Sequence, residues 1–209
     1  MFTFLFLALF VVLFCVFVYV ATTLRVRLKS VLQSAENSLN GQALSKDEKG
    51  KIWDRFKQKL VFFPTSGFIT CDPVIRVEDR NIGVHVFLFG SGVGVFCEKN
   101  GNTKLNIEIK RSYSGVEERQ RSKDIVLPGN LKEKYLVRKI AGNSDYNEEL
   151  IYRLLKILRT CEPDYIEVSD ESYFILFQCE CRHREAYPDH YEKLFDKVDP
   201  VLHILSEDL

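Results

Sequence analysis

Residues 82–110 read IGVHVFLFGSGVGVFCEKNGNTKLNIEIK, and this stretch decides the fold. Its apolar residues recur every second position, the period of a half-buried strand, whereas the residues before it recur at helical spacing. Ile82 to Phe89 predicts a strand bounded by glycines. Val93–Lys99 and Thr103–Lys110 predict two more, flanking Asn100-Gly101, a strong hairpin signal. Leu105, Ile107 and Ile109 alternate with Asn106, Glu108 and Lys110, which predicts a sheet face open to water. Gly90-Ser91-Gly92-Val93-Gly94 superficially resembles a phosphate loop. Such a loop needs a helix next, and Val93, Val95 and Phe96 continue as strand, so a hairpin turn or bulge is expected.

Outward from this core the elements fall into place. Upstream, Val74, Ile75 and Val77 predict a strand, with Asp72-Pro73, Glu78 and Asp79 as turn residues. Ser45 followed by Glu48 forms a capping box that opens a helix, whose apolar face is Ile52, Trp53, Phe56 and Leu60 and whose other side carries Lys51, Arg55 and Lys59. Downstream, Tyr135–Ile140 predicts a strand and Leu150, Ile151, Leu154, Leu155 and Leu158 one face of a helix. Two strands follow, Tyr165–Val168 and Tyr173–Cys181. A last helix opens at Pro188, with Tyr191, Leu194, Phe195 and Val198 inward and a restart at Asp199-Pro200. Grouped strands without βαβ alternation predict an α+β domain, a mainly antiparallel sheet packed with about three helices.

The chain opens differently. From Phe2 to Leu24 no side chain is charged. As a helix this run is long enough for a hydrocarbon core of about 30 Å, and no basic residue precedes it as in a secretory leader. Residues 1–24 are thus expected to be a transmembrane anchor, with the lipid bilayer as partner. Arg25, Arg27 and Lys29 follow it and place the N-terminus outside and residues 45–209 in the cytoplasm as a single-pass protein. Residues 25–44 are expected to form a helical juxtamembrane stalk, ending near Asn40-Gly41 and holding the domain roughly 24 Å from the bilayer.

Lys+Arg and Asp+Glu both number 29, which argues against a nucleic-acid binder. The balance hides an asymmetry: Arg25–Thr160 holds 25 basic and 16 acidic residues, a net of +9, and Cys161–Leu209 a net of −9. Lys51, Trp53, Arg55 and Lys59 therefore form a candidate membrane-surface patch, against which stands an ordinary solvated helix face with Trp53 in the core.

Other candidate sites are sparse. Cys179, Cys181, His183 and His190 are the only cluster suggestive of metal, but Cys-x-Cys within a strand is not a zinc knuckle, and two buried small residues are the expected reading. Cys71, Cys97 and Cys161 lack partners in sequence, and a cytoplasmic domain is expected to form no disulfides. His85 shares a strand face with Phe87 and Phe89 and is expected in the core or on the sheet rather than as a catalytic base. No catalytic, cofactor or small-molecule motif occurs.

In layout, the Trp53 helix, the strand-rich middle, Tyr135 and Val137, the Leu154-Leu155 helix, Ile166 and Val168 and the closing helix resemble a loosely defined group of uncharacterised, often membrane-attached bacterial domains. The resemblance spans most of residues 46–205 and implies an α+β fold but no activity. The expected function is non-catalytic protein binding or self-assembly as a homo-oligomer at the membrane. The alternatives are an enzyme with a dispersed site around His85 or His183, and an anionic-lipid surface module.

Overall fold

Alternation along the strands builds the molecule. In this computed structural model, which describes residues 2–63, 72–77, 83–89, 92–98, 106–112, 127–140, 148–169, 171–178 and 188–206, eight strands form one sheet in which every pairing is antiparallel. The strands are β1 (Gly41–Ala43), β2 (Asp72–Val77), β3 (Val84–Phe89), β4 (Gly92–Glu98), β5 (Asn106–Arg111), β6 (Tyr135–Ile140), β7 (Tyr165–Val168) and β8 (Ser172–Gln178), in the spatial order β1-β2-β3-β4-β8-β7-β5-β6. The helices are α1 (Phe2–Leu39), α2 (Lys46–Lys59), a single turn α3 (Leu131–Lys134), α4 (Glu148–Thr160) and α5 (Pro188–Ser206). The α+β class and antiparallel sheet expected from the periodicity are present.

Because side chains alternate between faces, each central strand feeds two cores. Val84, Val86, Val93, Val95, Cys97, Ile166, Val168 and Ile175 join an aliphatic core with residues of α1, α4 and α5. Phe87, Phe96, Phe174 and Leu176 point the other way and pack with Ile52, Phe56, Leu60 and Phe63 of α2 and the segment after it. Phe56 is fully buried and meets Phe87, Phe96 and Phe174 at ring-centroid distances of 4.5–5.4 Å. Trp53 stacks on Phe56 at 5.3 Å and is half-buried, so it belongs to this core.

Three expectations need correcting. The first is the hairpin at Asn100-Gly101. β4 pairs with β3 and β8, and β5 with β6 and β7, so β8 and β7 stand between β4 and β5. A turn signal sets local backbone preference, but here the sheet's register is taken by longer-range partners. The tight hairpin lies ten residues earlier: Phe89 faces Gly92, with only Gly90-Ser91 between them. Gly92 suits that place, because a Cβ there would sit 2.4 Å from the Phe177 carbonyl oxygen.

The second is the stalk. α1 does end at Leu39, with Asn40 in the left-handed region at φ 47°. Residues 41–43, however, are strand β1 on the sheet edge. Val31, Ala35 and Leu39, four residues apart and 4%, 0% and 5% exposed, lie in the aliphatic core, and Ser34 Oγ donates to Glu192 of α5 at 3.1 Å. This half of α1 is therefore a structural helix of the domain. Val31 lies only seven positions after Leu24, about 10 Å of helix rather than 24 Å. Among the described residues no helix is long and apolar enough to cross a membrane. The described apolar side chains at its start, Phe10 to Val20, are exposed and rise only about 16 Å. The longer uncharged run, Phe2–Leu24, rests on the sequence.

The third concerns the water-facing side of β5 and the helix restart. Ile107 and Ile109 are buried as expected, yet Glu108 between them is only 8% exposed. α5 runs without a break through Pro200 to Ser206.

Candidate ligand cleft over His85

The N-terminus of α2 is fixed by the capping box read from the sequence: Glu48 N–H donates to Ser45 Oγ, and Ser45 N–H donates back to Glu48 at 2.8 Å. That start sets the helix's rotation. Glu48, Lys51, Ile52 and Arg55, spaced three, four and seven residues from the first, then share one stripe. On the sheet below, Arg76 of β2, His85 of β3 and Phe96 of β4 are register partners and so share the face under α2.

Between these two surfaces lies a cleft of about 280 Å³, lined by Leu44, Glu48, Lys51, Ile52, Arg55, Arg76, Gly83, His85 and Glu98. Glu98, at the end of β4, gathers two cations: Arg55 at 3.4 Å and Lys59 at 3.1 Å. Lys59 also meets Glu171 at 3.3 Å. Burial works against the Lys59 ammonium, but its hydrogen bonds to Glu98 and Glu171 outweigh that and hold its pKa above the ordinary value. The hydrogen bonds from Ser45 hold the Glu48 carboxyl below the ordinary range.

His85 is the unusual member. It is 7% exposed, and its Nδ1 is buried with no hydrogen-bond partner. Burial pushes its pKa down to about 4; Glu98 opposes the shift and Arg76 and Arg55 reinforce it. At neutral pH the ring is therefore an uncharged donor–acceptor among charged neighbours.

A second polar cluster occupies the same sheet face further along. Glu167 is completely buried, and its carboxylate accepts from three successive backbone N–H groups just beyond α2: Val61, Phe62 at 3.0 Å and Phe63 at 2.9 Å. Tyr165 Oη donates to it at 2.9 Å. Its register partner Glu108 meets Arg138 at 3.5 Å. Burial raises the Glu108 pKa against the pull of Arg138, and burial beside the two glutamates raises that of Tyr165. This arrangement ties the end of α2 to the sheet.

The candidates named from sequence separate accordingly. His85 lies on the face shared with Phe87, as expected, but beneath a cleft rather than in dry core. Lys51 and Arg55 line that cleft, and Lys59 turns to Glu98, so the basic helix face is partly neutralised by β4. Lys29 is exposed, and the side chains of Arg25 and Arg27 are not among those described. Cys179, Cys181 and His183 lie outside the described residues, as do Cys71, Glu78 and Asp79; His190 lies in the first turn of α5 and Asp72 in β2, without described side chains. Cys97 and Cys161 are buried free thiols whose pKa values burial pushes up to about 12 and about 11.

Arg76, Glu98 and Glu167 are the residues that sequence reading passes over. Arg76 carries the one usable signal, a charge inside the Val-Ile-Arg-Val strand that pairs across to His85.

No family model matches the chain, and no curated protein matches it. The crystal structure of the mycobacterial trehalose monomycolate transport factor A, TtfA, aligns with 83% of this chain and 95% of its own, at 12% identity and a TM-score of 0.47. At that score the likeness carries no argument about function.

Proposed function

We propose that this protein is a single-pass, membrane-tethered binding domain that acts by recognition rather than catalysis. The observation that carries this reading is the double character of α1, one helix of 38 residues. Its uncharged first part, Phe2–Leu24, has exposed apolar side chains from Phe10 to Val20, and its second part is built into the domain core through Val31, Ala35 and Leu39. Exposed aliphatic and aromatic side chains along one whole helix segment are stable in lipid, not in water. A tether continuous with a core helix holds the domain at a fixed attitude close to the bilayer. Arg25, Arg27 and Lys29 favour the cytoplasmic side for it. Among the described residues the cleft lining supplies cations, carboxylates and a neutral imidazole, groups suited to holding a ligand.

The test is membrane extraction combined with a topology reporter. The full chain should stay in the pellet through alkaline carbonate, and a reporter fused after Leu209 should report the cytoplasm. Release of a soluble product beginning near Thr22 would overturn the tether, and an external reporter would overturn the orientation. Replacing Arg25, Arg27 and Lys29 by neutral residues should lower the fraction with the domain inside.

A further inference from the structure

We propose that the cleft between α2 and the β2–β3–β4 part of the sheet binds a small, singly charged oxyanion of the phosphate-monoester class. The inference is independent of the tether. Three observations meet in it.

The first is charge. The lining holds three cations, Lys51, Arg55 and Arg76, against two carboxylates, Glu48 and Glu98. Both carboxylates already accept hydrogen bonds, Glu48 from Ser45 and Glu98 from Arg55. Lys59, behind Glu98, adds a fourth positive charge. Arg guanidiniums match the oxygens of phosphate in a forked geometry, and Lys supplies a point charge beside them.

The second is His85. A phenylalanine, as at Phe87 two residues on and on the same face, would fill the space without a polar atom. The chain instead holds an imidazole whose buried Nδ1 has no partner, an arrangement that costs stability unless a ligand makes use of the ring. An orphaned acceptor is tolerated more readily than an orphaned N–H. The single hydrogen of the neutral ring therefore belongs on Nε2, giving the cleft an uncharged donor among the cations.

The third is size and balance. At about 280 Å³ the cleft is at the small end of ligand sites. The guanidiniums, the ammonium and the imidazole N–H outnumber what a carboxylate's two oxygens can accept and suit the three terminal oxygens of a phosphate monoester. Glu48 and Glu98 repel a dianion but accept a hydrogen bond from a P–OH, so the singly protonated form fits. The titratable groups facing the site are Glu48, Lys51 and Arg55 from α2, Arg76 from β2, His85 from β3 and Glu98 from β4.

The experiment uses the full chain in detergent micelles, with nitrogen-15 spectra of the His85 ring as the readout. Titration with inorganic phosphate at pH 6 should move the ring signals saturably, with one site per chain. The response should be weaker at pH 8, where both inorganic phosphate (second pKa about 7) and its monoesters (about 6) are mostly dianionic. Arg76→Gln and Lys51→Gln should each weaken binding about tenfold, the equivalent of roughly 1.4 kcal/mol, with unchanged melting in phosphate-free buffer. Glycerol 3-phosphate and dihexanoyl phosphatidic acid form two further arms. Equal affinity assigns the site to soluble phosphates, and tighter binding of the lipid assigns it to a headgroup. No movement of the His85 signals with any of the three probes, or undiminished binding in Arg76→Gln, overturns the proposal.

Discussion

The two faces of the sheet are made by the same strands and differ in kind. On the α1/α4/α5 side the strands contribute valine and isoleucine almost without interruption, in one continuous core. On the α2 side they contribute a phenylalanine cluster with polar groups at both ends: His85 and Arg76 at one, Glu108, Glu167 and Tyr165 at the other. The first face needs only shape and apolarity. The second carries the buried His85, Glu108 and Glu167, and it is covered by one helix of 14 residues. A structural face and a working face thus lie back to back, about one strand thickness apart.

The strongest way to break this comparison is at β7, where Ile166 and Glu167 are neighbours on opposite faces and both are fully buried. If the α2 face is held by specific hydrogen bonds, Glu167→Ala should destabilise the chain by about 3–5 kcal/mol, because three backbone N–H groups and Tyr165 Oη lose their acceptor at once. Ile166→Val should cost about 1 kcal/mol, a methylene from a forgiving aliphatic core. Thermal melts of both variants check the pair. A Glu167→Ala loss no larger than that of Ile166→Val would mean that water replaces the carboxylate, and that the α2 face is not specifically fastened.

The next test separates the faces by pH. The folded-state pKa of His85 is about 4 against an ordinary 6.5. Below pH 6.5 the unfolded chain takes up a proton that the folded chain refuses, so stability should fall as pH falls towards 4, by up to about 3 kcal/mol. Glu108 runs the other way: its raised pKa means the folded chain protonates first, so stability is gained as pH falls towards the ordinary carboxylate value. Melts between pH 7.5 and 4 in phosphate-free buffer should show the net loss in the parent. In His85→Phe the loss should vanish and leave only carboxylate titrations such as that of Glu108. A parent profile flat through this window would place His85 in a wetter setting than its burial implies.

Both faces were legible in the sequence wherever local rules set them. β7 appears at Tyr165–Val168 as the alternation predicts, and both bonds of the Ser45–Glu48 capping box form. These are local features, and periodicity and capping are local rules. What was missed needs the third dimension. Asn100-Gly101 is a sound turn signal, but β8 and β7 outcompete β5 for the place beside β4. Glu108 of Asn106-Ile-Glu-Ile reads as solvent-facing because it alternates with apolar residues, and Glu167 of Tyr165-Ile-Glu-Val has the same pattern. Both glutamates are buried, Glu167 because a backbone segment from a different part of the chain lays its N–H groups on it. Likewise the +9/−9 division of the sequence is crossed in space, since Glu171 from the acidic segment meets Lys59 of α2. His85 was placed on the correct face, yet nothing in its neighbours along the chain announces the cleft that α2 makes above it.

The smallest effect is expected at that basic side. Arg55 keeps 56% of its side-chain surface exposed and Lys59 26%, and each meets a different carboxylate oxygen of Glu98, at 3.4 and 3.1 Å. Exposed pairs of this kind gain little, because water screens the attraction and two long side chains lose rotamer freedom. Glu98→Gln should therefore change stability by less than about 1 kcal/mol, and by less still in 1 M salt, where the Debye length is about 3 Å. Its effect on ligand binding should have the opposite prominence. Removing this carboxylate takes away repulsion towards a phosphate dianion, so the variant should bind phosphate at pH 8 more tightly than the parent does, with little change at pH 6. A large stability loss with no change in the pH dependence of phosphate binding would make Glu98 a fastening of α2 instead. The working face would then have its polar groups for architecture alone.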